Sequence, residues 1–375
     1  MKIAIFETYH FEVAHTLISL FDKPGNEITI FVHQEAYRQL LFLLADKAGR
    51  YTWLVRMEDE TNRGFIRRVF RYTQDHSFDL LYFNTIADNF IIYAYHHRKL
   101  RRIPSVLTLH DINGQFQYKP SFSLTRIVRY IGKRLLIIRF PAFNVLADSM
   151  VPYLRKKLGS GKKIYSIPGN YFDPANIIPI QLEADNPVKI VIPGSVDERR
   201  RDYSIVKELL EATSLQNIAI EICLLGSFRS GYSESTRQFC TNYLRNNNNL
   251  KIFEEEIVDQ PEFEKRIQES HFVWMPVQYK LSVSDGIIEE YGKSICSGNI
   301  GDVIKHAKPF FVPRQMPLDA ALLDSAIRYD TLADILSVIR KLSPSVYSGL
   351  QQKAWTASHH YTKENIIRRN ASLFG

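Results

Sequence analysis

Short runs of aliphatic, β-branched and aromatic residues alternate with helical stretches along most of this chain of 375 residues. The runs that predict strands in the first half are 2–6 (KIAIF), 27–32 (EITIFV), 79–83 (DLLYF), 105–109 (SVLTL) and 143–147 (FNVLA). Those in the second half are 188–192 (VKIVI), 218–225 (IAIEICLL), 250–253 (LKIF), 271–275 (HFVWM) and 309–312 (PFFV). Strands that alternate with helices pair in parallel and are covered on both faces, so the chain is predicted to be α/β.

A stretch without clear periodicity separates the two series of strands. Residues 174–187 (PANIIPIQLEADNP) are rich in proline, which is typical of a domain linker. We therefore predict an N-terminal domain over 1–173, a C-terminal domain over 188–345, and helices over 346–375 that cross back to the first domain. Two doubly wound, Rossmann-like domains would face each other across a cleft. Parallel sheets bind ligands at the carboxyl ends of their strands, so that cleft is the predicted site.

Several functional classes are disfavoured by residues that the chain lacks. Its three cysteines form no CxxC pair and no zinc-ligand spacing, so neither a disulfide framework nor a metal site is predicted. The first residues enter a strand pattern directly, and no apolar run reaches the ~18 residues of a spanning helix. We expect a cytoplasmic protein, either soluble or peripheral on the cytoplasmic face of the membrane.

Positive charge is concentrated in one part of the sequence. Residues 60–140 contain fourteen Lys and Arg against five Asp and Glu, whereas the net charge of the whole chain is +8. Such a segment suits an anionic membrane surface, a pyrophosphate-linked acceptor or nucleic acid, and a solvated basic face is the plainer alternative. No helix-turn-helix or zinc-finger pattern is visible, so nucleic acid is not a predicted partner.

Four stretches of the second half resemble a known family when they are taken in order. They are IPGSVDERRRDYSIVKELL (192–210), IEICLLGS (220–227), LKIFEEEIVDQPEFEKRIQESHFVWMPV (250–277) and EEYGKSICSGNIGDVIKHAKPFFVP (289–313). Together with TLHD (108–111) and IPGN (167–170), they resemble the GT-B glycosyltransferases, in particular the retaining family 4 or group 1 bacterial enzymes.

The resemblance implies a reaction and its partners. A sugar would pass from a UDP- or GDP-sugar to a saccharide or a lipid-pyrophosphate-linked saccharide, with retention of anomeric configuration. The pathway implied is synthesis of bacterial surface polysaccharide or lipopolysaccharide. No cofactor other than the donor is implied, and without a DxD motif no metal clamp on the diphosphate is expected.

A cationic turn follows the first strand of the second domain. Gly194 ends that strand, and Arg199, Arg200 and Arg201 follow it, where guanidinium groups and backbone N–H groups would bind a diphosphate. By resemblance Arg200 takes the place of the family's phosphate-binding lysine. Ser195 stands where the family usually has arginine. Three solvated arginines at a helix start are the alternative reading.

A small-residue loop precedes the helix that contains DVIKHA. Ser297, Gly298 and Asn299 would present the N–H groups of that helix start to a pyrophosphate. By resemblance Asp302 takes the role of the family's second glutamate, which bonds the ribose, and an ordinary helix-terminal carboxylate is the alternative. Seven residues beyond Glu289 and Glu290 there is no acid, so Glu290 receives no role. By resemblance, Glu255 and Ile257 lie at the nucleobase.

In the first half, TLHD ends a predicted strand. His110 and Asp111 would therefore project from the carboxyl edge of the sheet into the cleft and form the catalytic side of the site. By resemblance His110 contacts the transferred sugar, and a core or capping histidine is the alternative. His10 and Glu12 are candidate acceptor contacts.

Two other functions compete with glycosyl transfer. A nucleotide-sugar epimerase of GT-B type would share the fold and the donor. A catalytically inactive glycosyltransferase-like scaffold is the third reading, because Ser195 replaces an arginine and the acidic pair is broken.

Overall fold

The first half of the chain forms a parallel sheet of seven strands in the computed structural model, which describes residues 1–120, 122–183, 185–284 and 286–375. The spatial order is β3-β2-β1-β4-β5-β6-β7, that of a doubly wound sheet. The strands are β1 (Lys2–Glu7), β2 (Glu27–Val32), β3 (Thr52–Val55), β4 (Leu80–Phe83), β5 (Ser105–Thr108), β6 (Ala142–Val145) and β7 (Lys163–Ser166).

Helices cover both faces of this sheet because its central strands are apolar on both sides. Ile3 and Ile5 of β1 pack with one hydrophobic core, whereas Ala4 and Phe6 pack with the other, as the two-residue period of a strand requires. The helices are α1 (Phe11–Phe21), α2 (Gln34–Leu44), α3 (Asn62–Asp75), α4 (Phe90–Lys99), α5 (Ile112–Phe116), α6 (Leu124–Arg139) and α7 (Val151–Leu158). Helices α3, α4 and α6 share the face of Phe6.

The second half repeats the design around a six-stranded sheet. Its described strands are parallel and follow the order β10-β9-β8-β11-β14-β15. They are β8 (Val188–Pro193), β9 (Ile220–Leu225), β10 (Leu250–Lys251), β11 (Phe272–Trp274), β14 (Phe310–Pro313) and β15 (Ala326–Tyr329). The associated helices are α8 (Ser204–Leu215), α9 (Glu234–Tyr243), α10 (Gln260–Gln268), α11 (Gly298–His306) and α12 (Leu332–Arg340). Two doubly wound sheets with helices on both faces confirm the predicted fold class.

An antiparallel hairpin interrupts the second domain. Strands β12 (Lys280–Ser284) and β13 (Ile287–Glu290) pair with each other and lie outside the parallel sheet. Glu289 and Glu290 therefore lie on a strand. The helix of this region is α11, which begins only at Gly298.

The final helices return to the first domain. These are α13 (Pro344–His359), α14 (Lys363–Arg369) and α15 (Ala371–Phe374). The rings of Phe374 and Phe21 lie 4.7 Å apart, and Arg369 donates to the Asp148 carboxylate at 2.8 Å. Because α13 also packs on the second domain through Tyr347, this segment joins the two halves. Every helix in the described ranges is too short or too polar to cross a membrane.

Candidate functional site

A cleft of about 750 Å³ lies between the two domains, at the carboxyl ends of their parallel strands. Eleven of the residues predicted from sequence line it: His10, Glu12, His110, Asp111, Gly194, Arg200, Arg201, Ser297, Gly298, Asn299 and Asp302. Arg199, Glu255 and Ile257 are not among its lining residues. The fold thus gathers side chains that lie up to 292 positions apart in sequence, from His10 to Asp302.

Arg201 holds the strand end together from beneath the cleft. Its two terminal nitrogens donate to the backbone carbonyls of Pro193, Gly194 and Ser195, and to Oδ1 of Asn299. Gly194 has φ +88°, and a Cβ there would lie 2.8 Å from the Arg201 guanidinium. Since each terminal nitrogen already serves two acceptors, Arg201 supports the loop and offers no unused terminal N–H to a ligand.

Arg200 points the other way, as an exposed side chain on the cleft wall. Its backbone N–H donates to the carbonyl of Asp197 at 3.0 Å, which fixes the turn. Within the described ranges no protein atom accepts a hydrogen bond from its guanidinium. Its donor fork is therefore free to bind an anion in the cleft.

Arg199 is engaged outside the cleft. It makes a two-pronged contact with the buried Asp197, at 3.1 and 2.8 Å, and lies over the Tyr232 ring at 3.3 Å from its centre. Burial alone would raise the pKa of Asp197, but the hydrogen bonds from Arg199 outweigh it and lower that pKa. Arg199 thus neutralises a buried carboxylate, and its placement speaks against the predicted diphosphate contact.

The start of α11 opens into the cleft through small residues. Ser297 and Gly298 line the cavity, and a Cβ added to Gly298 would meet no other atom within 4 Å. Asn299 is buried, and its amide donates to the Pro193 carbonyl at 2.8 Å. The positive end of a nine-residue helix is thereby fixed beside Gly194, where it favours an anion.

Asp302 lies one turn further along α11. Burial raises the pKa of its carboxyl to about 7, and the Glu12 and Glu264 carboxylates add to this rise. Burial likewise raises the pKa of Glu12. Carboxyl oxygens of this kind accept hydrogen bonds from vicinal hydroxyl groups, which suits a ribose or a sugar.

The loop before α10 borders the cleft without placing the predicted residues in it. Glu255 is exposed and Ile257 is 65% exposed, whereas Val258 and Gln260 line the cavity. The residues of this region that reach the cavity thus lie just after those predicted.

On the opposite wall, His110 is held against the end of β4. Its Nε2 lies 2.9 Å from the Asn84 carbonyl, and its ring stacks on His10 with centres 4.0 Å apart. Burial and His10 lower the pKa of His110 to about 3, so the imidazole is neutral at physiological pH. A carbonyl can only accept, so Nε2 carries the proton and Nδ1 is an acceptor.

The loop that carries His10 is ordered by a buried carboxylate. Glu7 accepts hydrogen bonds from the backbone N–H groups of Thr8 and His10 at 2.6 and 2.7 Å, and from Thr85 at 3.1 Å. Its side chain has no exposed surface. This network fixes the position of the His10–His110 pair.

Asp111 lies over the first turn of α5. A Cβ on Gly114 would lie 1.9 Å from Asp111 Oδ2, so only glycine fits beneath the carboxyl group. Burial raises the pKa of Asp111, although Lys133 opposes the rise. Lys133 is itself buried and donates to the Gly114 carbonyl at 2.6 Å. A carboxyl group with a raised pKa in a cleft is suited to proton transfer.

The β12–β13 hairpin connects the two walls beside Asp111. Glu289 accepts from the backbone N–H groups of Gly114 at 2.5 Å and Asn113 at 3.3 Å, and it has no exposed surface. The backbone N–H of Ile112 donates to the Ser294 carbonyl at 2.8 Å. Glu290 instead bonds Tyr279 and Lys293 and does not line the cleft. Glu289, to which the sequence assigned no role, is thus an acid that joins the two domains.

The Glu289 contact is expected to make stability depend on pH. Burial raises the pKa of Glu289 from 4.5 to about 7. Between these values the folded state keeps a proton that the unfolded state loses, so stability falls as pH rises, by roughly 1–3 kcal/mol in all. The Glu289→Gln variant cannot ionise at this position and lacks this pH-dependent loss of stability. Thermal unfolding should show the variant gaining stability relative to wild type between pH 5 and pH 8, whereas a constant difference would contradict the buried ionisable contact.

Among the lining residues that the sequence did not point to are three ionisable ones, Glu264, Lys305 and His15. Glu264 of α10 bonds Lys305, and its carboxylate lies 3.1 Å from His306. Burial and Lys305 lower the pKa of His15 to about 4. Their positions on ordinary amphipathic helices gave no local signal. In the described part of the chain, no three His, Cys, Asp or Glu residues are grouped to hold a metal.

Solved structures resemble this chain over its whole length. HepE of Anabaena, solved in complex with UDP-glucose, shares 13% identity with a TM-score of 0.66, covering 100% of this chain and 99% of that one. The pneumococcal O-GlcNAc transferase GtfA, in complex with UDP and GlcNAc, shares 8% identity with a TM-score of 0.63, covering 100% and 98%. The UDP-GlcNAc 2-epimerase from Neisseria meningitidis, bound to UDP-GlcNAc, shares 11% with a TM-score of 0.59, covering 99% and 100%.

In sequence, no known family model and no curated protein matches the chain. The likeness is therefore one of architecture. Both domains, the cleft between them and the returning C-terminal helices are included in the matched lengths. The chain has the GT-B fold, with glycosyltransferases among its structural neighbours.

Proposed function

We propose that the protein is a glycosyltransferase that moves a sugar from a UDP- or GDP-sugar to a saccharide or lipid-linked saccharide. One observation carries the proposal. Arg200 and the start of α11 lie on one wall of a single cleft, and His110 and Asp111 lie on the other. The first wall supplies the positive charge that a diphosphate requires. The sugar and the acceptor would lie against the second wall.

The donor half of the proposal follows from charge. The Arg200 fork and the N–H groups at Gly298 supply positive charge for the diphosphate. Asp302, with Glu12 near it, supplies oxygens for the ribose hydroxyls. The UDP complexes of structural neighbours support a nucleotide-sugar donor.

The acceptor half rests on the first domain. The neutral His110 offers Nδ1 to a sugar hydroxyl, and Asp111 offers a carboxyl group that can exchange a proton. Arg129 and Lys133 also line the cleft and would meet an anionic acceptor. We propose retention of configuration, and a place in the synthesis of bacterial surface polysaccharide or lipopolysaccharide, on the family resemblance of the four segments.

The proposal is tested by turnover of UDP- and GDP-sugars. Transfer to an added saccharide, with a product whose anomeric configuration equals that of the donor by NMR, would support it. Conversion of the free donor to its epimer would favour the epimerase, which the Neisseria neighbour keeps as the second candidate. Nucleotide binding without any turnover, even with a lipid-linked acceptor, would indicate an inactive scaffold.

We expect donor binding to be independent of divalent metal. The protein supplies its own cations at the diphosphate, and the described residues include no cluster of metal ligands. Calorimetric titration with UDP and GDP should give the same affinity in EDTA as in Mg²⁺. Loss of binding in EDTA, restored by adding the metal back, would show that the arginine and the helix terminus are not sufficient.

A further inference from the structure

Helix α6 carries apolar residues on two opposite faces. Its inner face packs on α4 so closely that a Cβ on Gly132 would lie 2.5 Å from the backbone nitrogen of Ile91. On the outer face Leu124, Ile131 and Ile138 are 75%, 41% and 68% exposed. Their spacing of seven residues places them in one line along the helix. A soluble protein normally turns polar residues outward at such positions.

The apolar line continues beyond the start of the helix. Phe122 is fully exposed. Ile127 and Val128, which lie between Leu124 and Ile131 on the helix, are also exposed and add to the row. Single exposed apolar residues need no explanation, but a continuous row marks a surface that is covered in use. We call this row, from Phe122 to Ile138, the α6 stripe.

Exposed cations lie on α6 and on the two other helices that cover the same face of the sheet. Arg134 lies on the helix itself, and Arg67, Arg71 and Lys99 lie on the neighbouring helices α3 and α4. Arg98, Arg101 and Arg102 follow at the end of α4, which lies beside the end of α6 through the stacked rings of His97 and Phe140. An apolar row among Lys and Arg matches the interfacial zone of an anionic bilayer, where acyl chains meet negative headgroups.

We propose that the α6 stripe docks on an anionic lipid bilayer and lies at its headgroup boundary. The positive charge selects this occupant over a second copy of the chain, because two copies would bring like charges together. The apolar part of the contact is the outer face of α6, and the cations of α6 and of the end of α4 attract the headgroups. It does not depend on the chemistry of the cleft.

Docking would also place the cleft at the lipid surface. Arg129 and Lys133 belong to the same helix and line the cleft from its inner side. If the proposed function holds, a lipid-linked acceptor would enter past these two cations without leaving the membrane. This consequence rests on the proposed function, whereas the docking itself does not.

The test is co-sedimentation of the full chain with vesicles. One set consists of phosphatidylcholine, and the other of equal parts phosphatidylcholine and phosphatidylglycerol. Wild type should bind the anionic vesicles. The variant Leu124→Ser/Ile131→Ser/Ile138→Ser should bind at least about a hundredfold more weakly, since each buried aliphatic side chain contributes roughly a factor of ten.

A matched variant controls for the loss of apolar surface. Ile178→Ser/Leu323→Ser/Leu215→Ser removes three aliphatic side chains of similar exposure, 71%, 43% and 85%, elsewhere on the molecule. It should bind vesicles like wild type. The variant Arg98→Ser/Lys99→Ser/Arg101→Ser/Arg102→Ser should bind more weakly, and added salt should weaken wild type in the same way.

Three results would overturn the proposal. In the first, wild type binds neither set of vesicles. In the second, the Leu124→Ser/Ile131→Ser/Ile138→Ser variant binds vesicles as tightly as wild type. In the third, wild type forms a dimer that this variant does not form, and neither protein binds vesicles. All variants should keep the nucleotide affinity of wild type in calorimetry. Vesicle binding without nucleotide binding would leave the docking intact and reject the proposed function.

Discussion

Replacing Arg200 by alanine is expected to weaken binding of a nucleoside diphosphate about ten- to hundredfold. The Arg200 guanidinium faces the cleft and donates to no protein atom within the described ranges. Its charge-assisted hydrogen bonds are therefore available to a ligand. For the same reason its removal should leave the melting temperature of the free protein unchanged. Calorimetry with UDP and GDP, together with thermal unfolding, would measure both quantities.

Arg229→Ala is the matched control for this variant. Arg229 is an exposed arginine of the same domain that does not line the cleft, so its loss changes the net charge equally. We expect wild-type affinity from it. If both variants bind alike, Arg200 acts only through the general field of the domain, and the diphosphate is bound elsewhere.

Replacing Arg201 by alanine is expected to act on folding first. Its guanidinium donates to three backbone carbonyls and Asn299, and truncation leaves the half-buried carbonyls of Gly194 and Ser195 without this donor. Losses of this kind cost about 3–5 kcal/mol, which corresponds to a fall in melting temperature on the order of 10 °C. Arg201→Lys should recover little of the loss, because one ammonium group cannot reproduce the planar fork.

Differential scanning calorimetry of Arg201→Ala, Arg201→Lys and Arg229→Ala would decide this prediction. Binding of nucleotide should fall in both Arg201 variants as well, because the loop at Gly194 loses its support. The reverse pattern, with an unchanged melting temperature and a large loss of affinity, would make Arg201 a ligand contact instead.

Strands that are buried on both faces could be predicted from sequence, whereas three of the four edge strands, β3, β7 and β15, could not. The runs at 2–6 and 188–192 are almost entirely apolar, and they form the central strands β1 and β8. Strands β3 and β15 are half-buried edges with mixed composition, so they lack that signal. The hairpin β12–β13 was missed for a similar reason, because its polar strands lie outside both sheets.

Positions at strand ends were the predictable part of the site. His110 and Gly194 follow predicted strands, and both line the cleft. The three successive arginines show the limit. The sequence does not distinguish Arg199, Arg200 and Arg201. In the folded chain Arg199 pairs with a buried aspartate, Arg200 faces the cleft and Arg201 donates to backbone carbonyls. The role of Glu289 could not be predicted from sequence because its partner Gly114 lies 175 residues away in the chain.

The contact between Phe21 and Phe374 has a consequence for the order of assembly. These rings are synthesised roughly 350 residues apart, which at ribosomal rates means an interval of roughly 20–70 s. During that time α1 has its sheet to fold on but lacks the cover that α14 and α15 later provide. The first domain is thus completed by helices that are translated after the second domain, and until then the nascent protein carries an uncovered apolar face.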